Sequence, residues 1–255
     1  MKTSLTTALI LGALGSREPA LAKAVVPGGE RTAEVSPDKS VEVISPVING
    51  PRNVRRIALT FDACSTKMNE YDERVINTLI ANRVPATIFI GGIWSIRSGE
   101  KVKAMAANPL FELGNHTFSH PHMPRLTEAQ MRDELLRTQD ELLGLTGKEP
   151  RFFRPPFGEY DDRVLRVAAS LGLLTIQYDL PSGDPSRKAT KERIVSWVLN
   201  HARPGSIVVM HINHTRLRTA EALPEIVKGL RKRGYELVTV GELLRPQALV
   251  NAPAR

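Results

Sequence analysis

An α/β fold of about seven parallel strands is predicted by three features of the sequence. From Arg55 onward, short apolar runs alternate with segments of helical spacing. Each strand–helix–strand repeat implies parallel strands joined by a right-handed crossover. Polar residues of catalytic type fall at the ends of the apolar runs, and the carboxyl ends of parallel strands share one face where sites assemble. Periodicity by itself leaves both a barrel and a doubly wound sheet open.

The elements follow in order. Lys2 precedes a mostly apolar stretch from Leu5 to Leu14, and Ala20-Leu21-Ala22 puts small residues where a signal peptidase reads them. Residues 1–22 are therefore expected to be a signal peptide cleaved after Ala22, and the protein to be secreted or periplasmic. The apolar run falls short of the about 20 residues that cross a bilayer, and no later stretch is long enough, so no stable span is expected after cleavage. Residues 23–53 carry Pro27, Gly28, Gly29, Pro37, Pro46, Gly50 and Pro51 and read as a linker or irregular lead-in, with a short strand allowed at Val41 to Ile44. The main domain is expected over 54–245, and 246–255 is a tail.

Within the domain, Ile57 to Phe61 reads as a buried strand, and Val75, Ile76, Leu79 and Ile80 as a helical face. Ala86 to Ile90 and Phe111 to Asn115 are the next strands. Thr127 opens a long helix: Thr127-Glu128-Ala129-Gln130 fits a capping box, in which Thr hydroxyl and Gln amide satisfy exposed backbone N–H groups. Gly144 and Gly147 mark its end. Phe152-Phe153 begins a fourth strand, and Val164, Leu165, Ala168 and Leu171 form a helical face. Strands at Leu173 to Leu180, Ile207 to Ile212 and Glu236 to Val240 follow, separated by helices at about 191–202 and 219–233.

Composition sets outer bounds. At 255 residues and 42% apolar, the chain can bury a sizeable core. Its single cysteine, Cys64, cannot close an internal disulfide, so export adds no staple. The net charge of +8 suits anionic surroundings such as a cell wall. Basic residues are scattered among acidic ones, as in Arg132-Asp133-Glu134, and no nucleic-acid motif accompanies them, so no nucleic-acid partner is expected.

The chemistry-bearing residues are Asp62 at the end of the first strand, His116 and His120 after the third, Arg154 at the fourth, Asp184 after the fifth and His211 near the end of the sixth. Each has a bland reading. Asp62 reads as a helix cap, a base or a metal ligand; His211 as a core histidine or a catalytic one. An isolated H-x-x-x-H pair is weak evidence for a metal, although histidines at that spacing face one ion on a helix or tight turn. Arg154-Pro155-Pro156-Phe157-Gly158 reads as a strand-to-loop bend, or as a rigid mount for the Arg and the Phe157 N–H.

Together these segments resemble the polysaccharide deacetylase family, the family 4 carbohydrate esterases with the NodB homology domain. The match runs from about Arg55 to Leu244, through Thr60-Phe61-Asp62-Ala63, His116-Thr117-Phe118-Ser119-His120, Arg154-Pro155-Pro156-Phe157, Tyr178 to Asp184, and Val208-Val209-Met210-His211. The resemblance implies a distorted (β/α) barrel and a divalent-metal hydrolase, with zinc the expected ion, that removes N-acetyl or O-acetyl groups from a carbohydrate polymer. It assigns Asp62 as base and His211 as acid, with Arg154 orienting Asp62 and Asp184 pairing with His211. His116 and His120 become metal ligands. The Phe157 N–H becomes an oxyanion donor, and Val209 and Tyr178 line the acyl pocket. Rival readings are a non-catalytic carbohydrate-binding protein on this scaffold and an amidase for a small non-sugar amide.

The match departs at Ala63, where the family carries a metal-binding aspartate. Asp62, Cys64, His122 or His214 could reach in instead, the ion could be held loosely, or metal and catalysis could be lost. Cys64, next to Ala63, is expected to point elsewhere as a small buried cysteine. Retained activity is the favoured reading because Asp62, Arg154, Asp184 and His211 are all present. Pro181 and Pro185 also replace the usual Asp and Trp of the fourth motif, which alters the wall of the substrate groove.

Overall fold

The computed structural model describes residues 44–64 and 70–245. The expected signal peptide, most of the lead-in and the C-terminal tail lie outside these residues. Strands β1 (Arg56–Ala63), β2 (Ala86–Ile90), β3 (Phe111–Asn115), β4 (Phe152–Phe153), β5 (Leu174–Thr175), β6 (Leu180–Pro181), β7 (Ile207–His211) and β8 (Glu236–Val238) form one sheet. Its order is β5-β4-β3-β2-β1-β7-β6, with β8 paired to the start of β1, and all strand pairs are parallel. The two edge strands, β5 and β6, are joined by residues 176–179 alone, so the sheet must curl round on itself. The distorted (β/α) barrel is thus the architecture, and the open doubly wound alternative is excluded.

The expected strand from Leu173 to Leu180 divides in two, because its partner changes midway. β5 pairs with β4, whereas β6 pairs with β7. Between them, the lead-in stitches the gap: Val47 N–H donates to Thr175 O at 2.9 Å, Gln177 N–H donates to Val47 O at 2.8 Å, and Gly50 N–H donates to Gly205 O at 2.8 Å. Gly205, with φ 78°, lies so close to the Gly50 carbonyl that a Cβ would sit 2.5 Å from that oxygen. Only glycine meets both demands there.

Alternation along β1 explains why the barrel has two cores. Ile57, Leu59, Phe61 and Ala63 face outward into a cluster with residues of the surrounding helices. These include α1 (Glu73–Ala81), α6 (Lys191–His201) and α7 (Thr219–Lys232). Ala58 faces inward with Phe89, Phe152, Ile176 and Ile207 to form an apolar floor. Asp62 is two pleats further along the same inward face, at the carboxyl mouth. Fully burying an aliphatic side chain contributes about 1.5–3 kcal/mol, so both layers add to stability.

Other helices cover the β2–β4 side. These are α2 (Gly92–Arg97), α3 (Gly99–Ala107), α4 (Glu128–Thr146) and α5 (Asp162–Ser170), and α8 (Val240–Leu243) follows β8. Thr127 and Gln130 make the expected capping box on α4, and Gly147 closes it in the left-handed region at φ 69°. Among the described residues, no helix is long and apolar enough to cross a membrane.

Candidate active site

At the mouth of the barrel, Asp62 meets Arg154. Arg154 Nη1 donates to Asp62 Oδ1 at 2.9 Å, and both side chains are buried. The guanidinium lies 4.1 Å above the Phe89 ring, and Nη2 donates to the Gln177 carbonyl at 3.3 Å. The following prolines, 155 and 156, fix the backbone that carries it. Burial alone would raise the Asp62 carboxyl, but the Arg154 charge and hydrogen bond outweigh it, aided by His116 and His211. The carboxyl is therefore held below the usual range and stays ionised.

β7 lies beside β1 with His211 opposite Asp62 in the register. His211 Nδ1 and Asp184 Oδ1 are 3.0 Å apart, and His211 N–H donates to Asp184 Oδ2 at 2.8 Å. Ser182 Oγ and Thr219 Oγ1 donate to the same carboxylate at 2.8 and 2.6 Å. An ionised carboxylate only accepts, so Nδ1 carries the proton and Nε2 is the exchangeable position. Burial pulls the His211 imidazole down, but the hydrogen bond and charge of Asp184, with Asp62, more than offset it, while Arg154 opposes. The net effect is a raised imidazole.

His116 and His120 sit on a loop after β3, not on a helix. Thr117 and His120 adopt positive φ of 66° and 59°. The strained turn is held both locally and from α4. Asn115 Oδ1 accepts from Thr117 N–H at 2.9 Å, and Glu134 on α4 accepts from the N–H groups of Phe118 and Ser119 at 2.9 and 2.7 Å. His116 Nδ1 lies 2.8 Å from the Arg154 carbonyl, which only accepts, so Nε2 keeps its lone pair. Burial lowers both imidazoles, His120 to about 3, leaving them neutral and able to ligate.

Cys64 is where the structure corrects the sequence reading. Ala63 is fully buried in the outer core, while Cys64, one pleat on, returns to the inner face with Asp62. One donor atom each from Cys64, His116 and His120 lies within 4.8 Å of the others, a group that can hold a metal ion. Asn213 Nδ2 lies 3.4 Å from Cys64 Sγ, and its buried Oδ1 has no partner among the described residues. Burial and the adjacent Asp62 push the Cys64 thiol up, so it is protonated in the metal-free chain. The other three candidates for that role are engaged: Asp62 Oδ1 accepts from Arg154 Nη1 at 2.9 Å, and the two histidines have carboxylate partners. His122 pairs with Glu159 at 2.8 Å and stacks on Phe157, and His214 pairs with Glu70 at 2.6 Å.

Asp62, Cys64, His116, His120, Arg154 and His211 border one cleft of about 470 Å³, which Phe157, Tyr178 and Val209 also line. Phe157 sits at the mouth, 56% exposed and at φ 59°, with its ring between those of His120 and His122. Pro181 and Pro185 form part of the wall. Sequence reasoning missed Asn213, Ser182, Thr219, Asn115 and Glu134. Asn213, Thr219 and Glu134 act through hydrogen bonds to groups distant in sequence, whereas Ser182 and Asn115 bond groups two residues away, Asp184 and Thr117.

The polysaccharide deacetylase family model matches residues 49–176. A peptidoglycan-N-acetylglucosamine deacetylase of Bacillus cereus is 33% identical over 198 residues, covering 76% of this chain and 91% of that protein. A chitooligosaccharide deacetylase of a Bradyrhizobium species is 31% identical, covering 74% of this chain and 90% of its own length. Among solved structures, a family 4 carbohydrate esterase pseudoenzyme from Bacillus anthracis superposes with a TM-score of 0.73 at 29% identity, over 79% of this chain and 69% of that one. A mutant of that pseudoenzyme with restored enzymatic activity gives the same TM-score at 30% identity, over 79% of this chain and 72% of that one.

Proposed function

The chain belongs to the polysaccharide deacetylase family, and from that premise we propose that it is an exported, metal-dependent hydrolase removing N-acetyl groups from a carbohydrate polymer. Peptidoglycan amino sugars and chitin-like oligomers are the substrate class; O-acetyl esters are within the same chemistry. One observation carries the reading: an ionised carboxylate and a raised imidazole, each with its own buried partner, stand on adjacent strands beside a cluster of neutral metal donors.

In this reading Asp62 accepts a proton from the attacking water through Oδ2, since Oδ1 is held by Arg154. His211 donates from Nε2 to the leaving nitrogen, because an amine anion leaves poorly. The Phe157 N–H donates to the developing oxyanion, and Val209 and Tyr178 enclose the acyl methyl. His116 and His120 would hold a divalent metal, zinc being the proposed ion, which supplies Lewis-acid polarisation of the acyl carbonyl when bound. The sugar lies across the open cleft, against the exposed Phe157 ring.

Acetate release from N-acetylated glycans by the purified protein, with zinc, cobalt or chelator, tests the reading. Release that chelator abolishes and zinc restores is the expected result. No release with any metal from a folded protein would favour the second reading, a non-catalytic carbohydrate-binding protein. Ala63 and the likeness to a pseudoenzyme are the observations on that side.

The acid assignment makes a separate prediction about pH. Asp184 and Asp62 raise His211 and Arg154 lowers it, so the protonated form persists above the ordinary imidazole range of about 6.5. Activity should fall as pH rises through that raised value. Asp184→Asn removes the main raising group, so the alkaline limb of kcat/KM should move to lower pH. An unmoved limb would mean that His211 is not the acid.

A further inference from the structure

We propose that Cys64, as a thiolate, is the third protein ligand of the metal site, completing a Cys-His-His set with His116 and His120. The inference rests on the metal-dependent reading above and goes beyond it in ligand identity and metal preference. Three independent observations support it. First, the donor atoms of the three residues lie within 4.8 Å of one another. Tetrahedral zinc with bonds of about 2.0–2.3 Å has donors about 3.5 Å apart, so the widest pair closes by roughly an ångström. Second, strand alternation turns Ala63 into the core and Cys64 to the cleft, so the missing carboxylate at 63 is compensated one residue later, on the face that already carries Asp62. Third, the Asn213 amide directs Nδ2 at Cys64 Sγ from 3.4 Å. An N–H donor suits a thiolate ligand.

The chemistry follows. Three protein ligands with a fourth position open is the pattern of catalytic rather than structural zinc. A thiolate also shifts preference toward zinc and cobalt and away from magnesium and manganese, which favour oxygen donors. His116 is pre-oriented for this role, since its Nδ1–H donates to the Arg154 carbonyl and leaves Nε2 for the ion.

Cobalt(II) titration of the full chain reads the ligand directly, without reference to activity. The wild type should develop a thiolate-to-cobalt charge-transfer band in the near ultraviolet. Cys64→Ser should lose that band and bind zinc at least about tenfold more weakly. Cys64→Asp should lose the band but recover zinc affinity, which separates ligand loss from misfolding. Cobalt bound with the same spectrum in wild type and Cys64→Ser would overturn this inference alone and leave the hydrolase reading standing. No cobalt or zinc bound by the folded wild type would overturn both.

Discussion

Asp62→Asn should lower kcat for acetate release by about a hundred- to ten-thousand-fold, the range that general acid–base catalysis contributes. Asparagine keeps the size of the side chain and an oxygen to accept from Arg154 Nη1, now at 2.9 Å from the carboxylate. It cannot take a proton from water. KM should change little, since Asp62 lies at the buried end of the cleft and the proposed polymer site runs along its mouth. His211→Ala should cost a similar factor by removing the proton for the leaving nitrogen. The two losses should not multiply in the double variant, because base and acid act as one unit on one turnover. Steady-state kinetics on a defined N-acetylated oligosaccharide, with folding checked by circular dichroism, gives the answer. Unchanged turnover in both single variants would remove this pair from the chemistry.

The sequence exposed the barrel because its strands are buried on both faces and read as largely apolar runs, such as Ile57 to Phe61 and Ile207 to Met210. Polar residues at the ends of those runs were legible for the same reason: nothing in a buried strand accounts for Asp62 or His211. The split of Leu173 to Leu180 was not legible, because the run is continuous and only its partners change. Asp179, within that run, leaves the strand to accept from Ile207 N–H at 2.8 Å and from Ser206 Oγ at 3.0 Å. α2 and α3 were missed because each opens on a glycine, Gly92 and Gly99, in a stretch without a sustained apolar face. Gly92 is there because the His116–His120 loop packs on it: a Cβ would lie 2.4 Å from the Phe118 ring. Cys64 is the instructive case. Adjacency to Ala63 suggested that it points elsewhere, yet residues i and i+2 of a strand share a face, so its place beside Asp62 was written in the period. Thr219, which donates to Asp184, and Glu134, which accepts from the histidine loop, are remote in the chain, and only the fold brings them there.

Arg154→Met should destabilise the protein by about 3–5 kcal/mol, the cost of leaving one partner of a buried ion pair uncompensated. The magnitude follows from where Arg154 sits. It is 1% exposed, holds Asp62 Oδ1, reaches the Gln177 carbonyl and lies on Phe89. Methionine fills most of the space over Phe89 but leaves the buried Asp62 carboxylate without its guanidinium partner. Urea unfolding should show a lower midpoint with an unchanged slope, since the surface exposed on unfolding is the same. Arg154→Lys should recover only part of it, because an ammonium restores a positive charge but cannot span Asp62 and Gln177 as the planar fork does. The double variant Asp62→Asn/Arg154→Met discriminates between causes. If the loss comes from an orphaned charge, removing that charge should recover most of it, and the cycle will be strongly non-additive. If the loss comes from packing over Phe89, the double variant will be at least as unstable as Arg154→Met. The first outcome would mean that the pair is kept for catalysis rather than for stability, since an uncharged replacement of both residues would then fold nearly as well and turn over nothing.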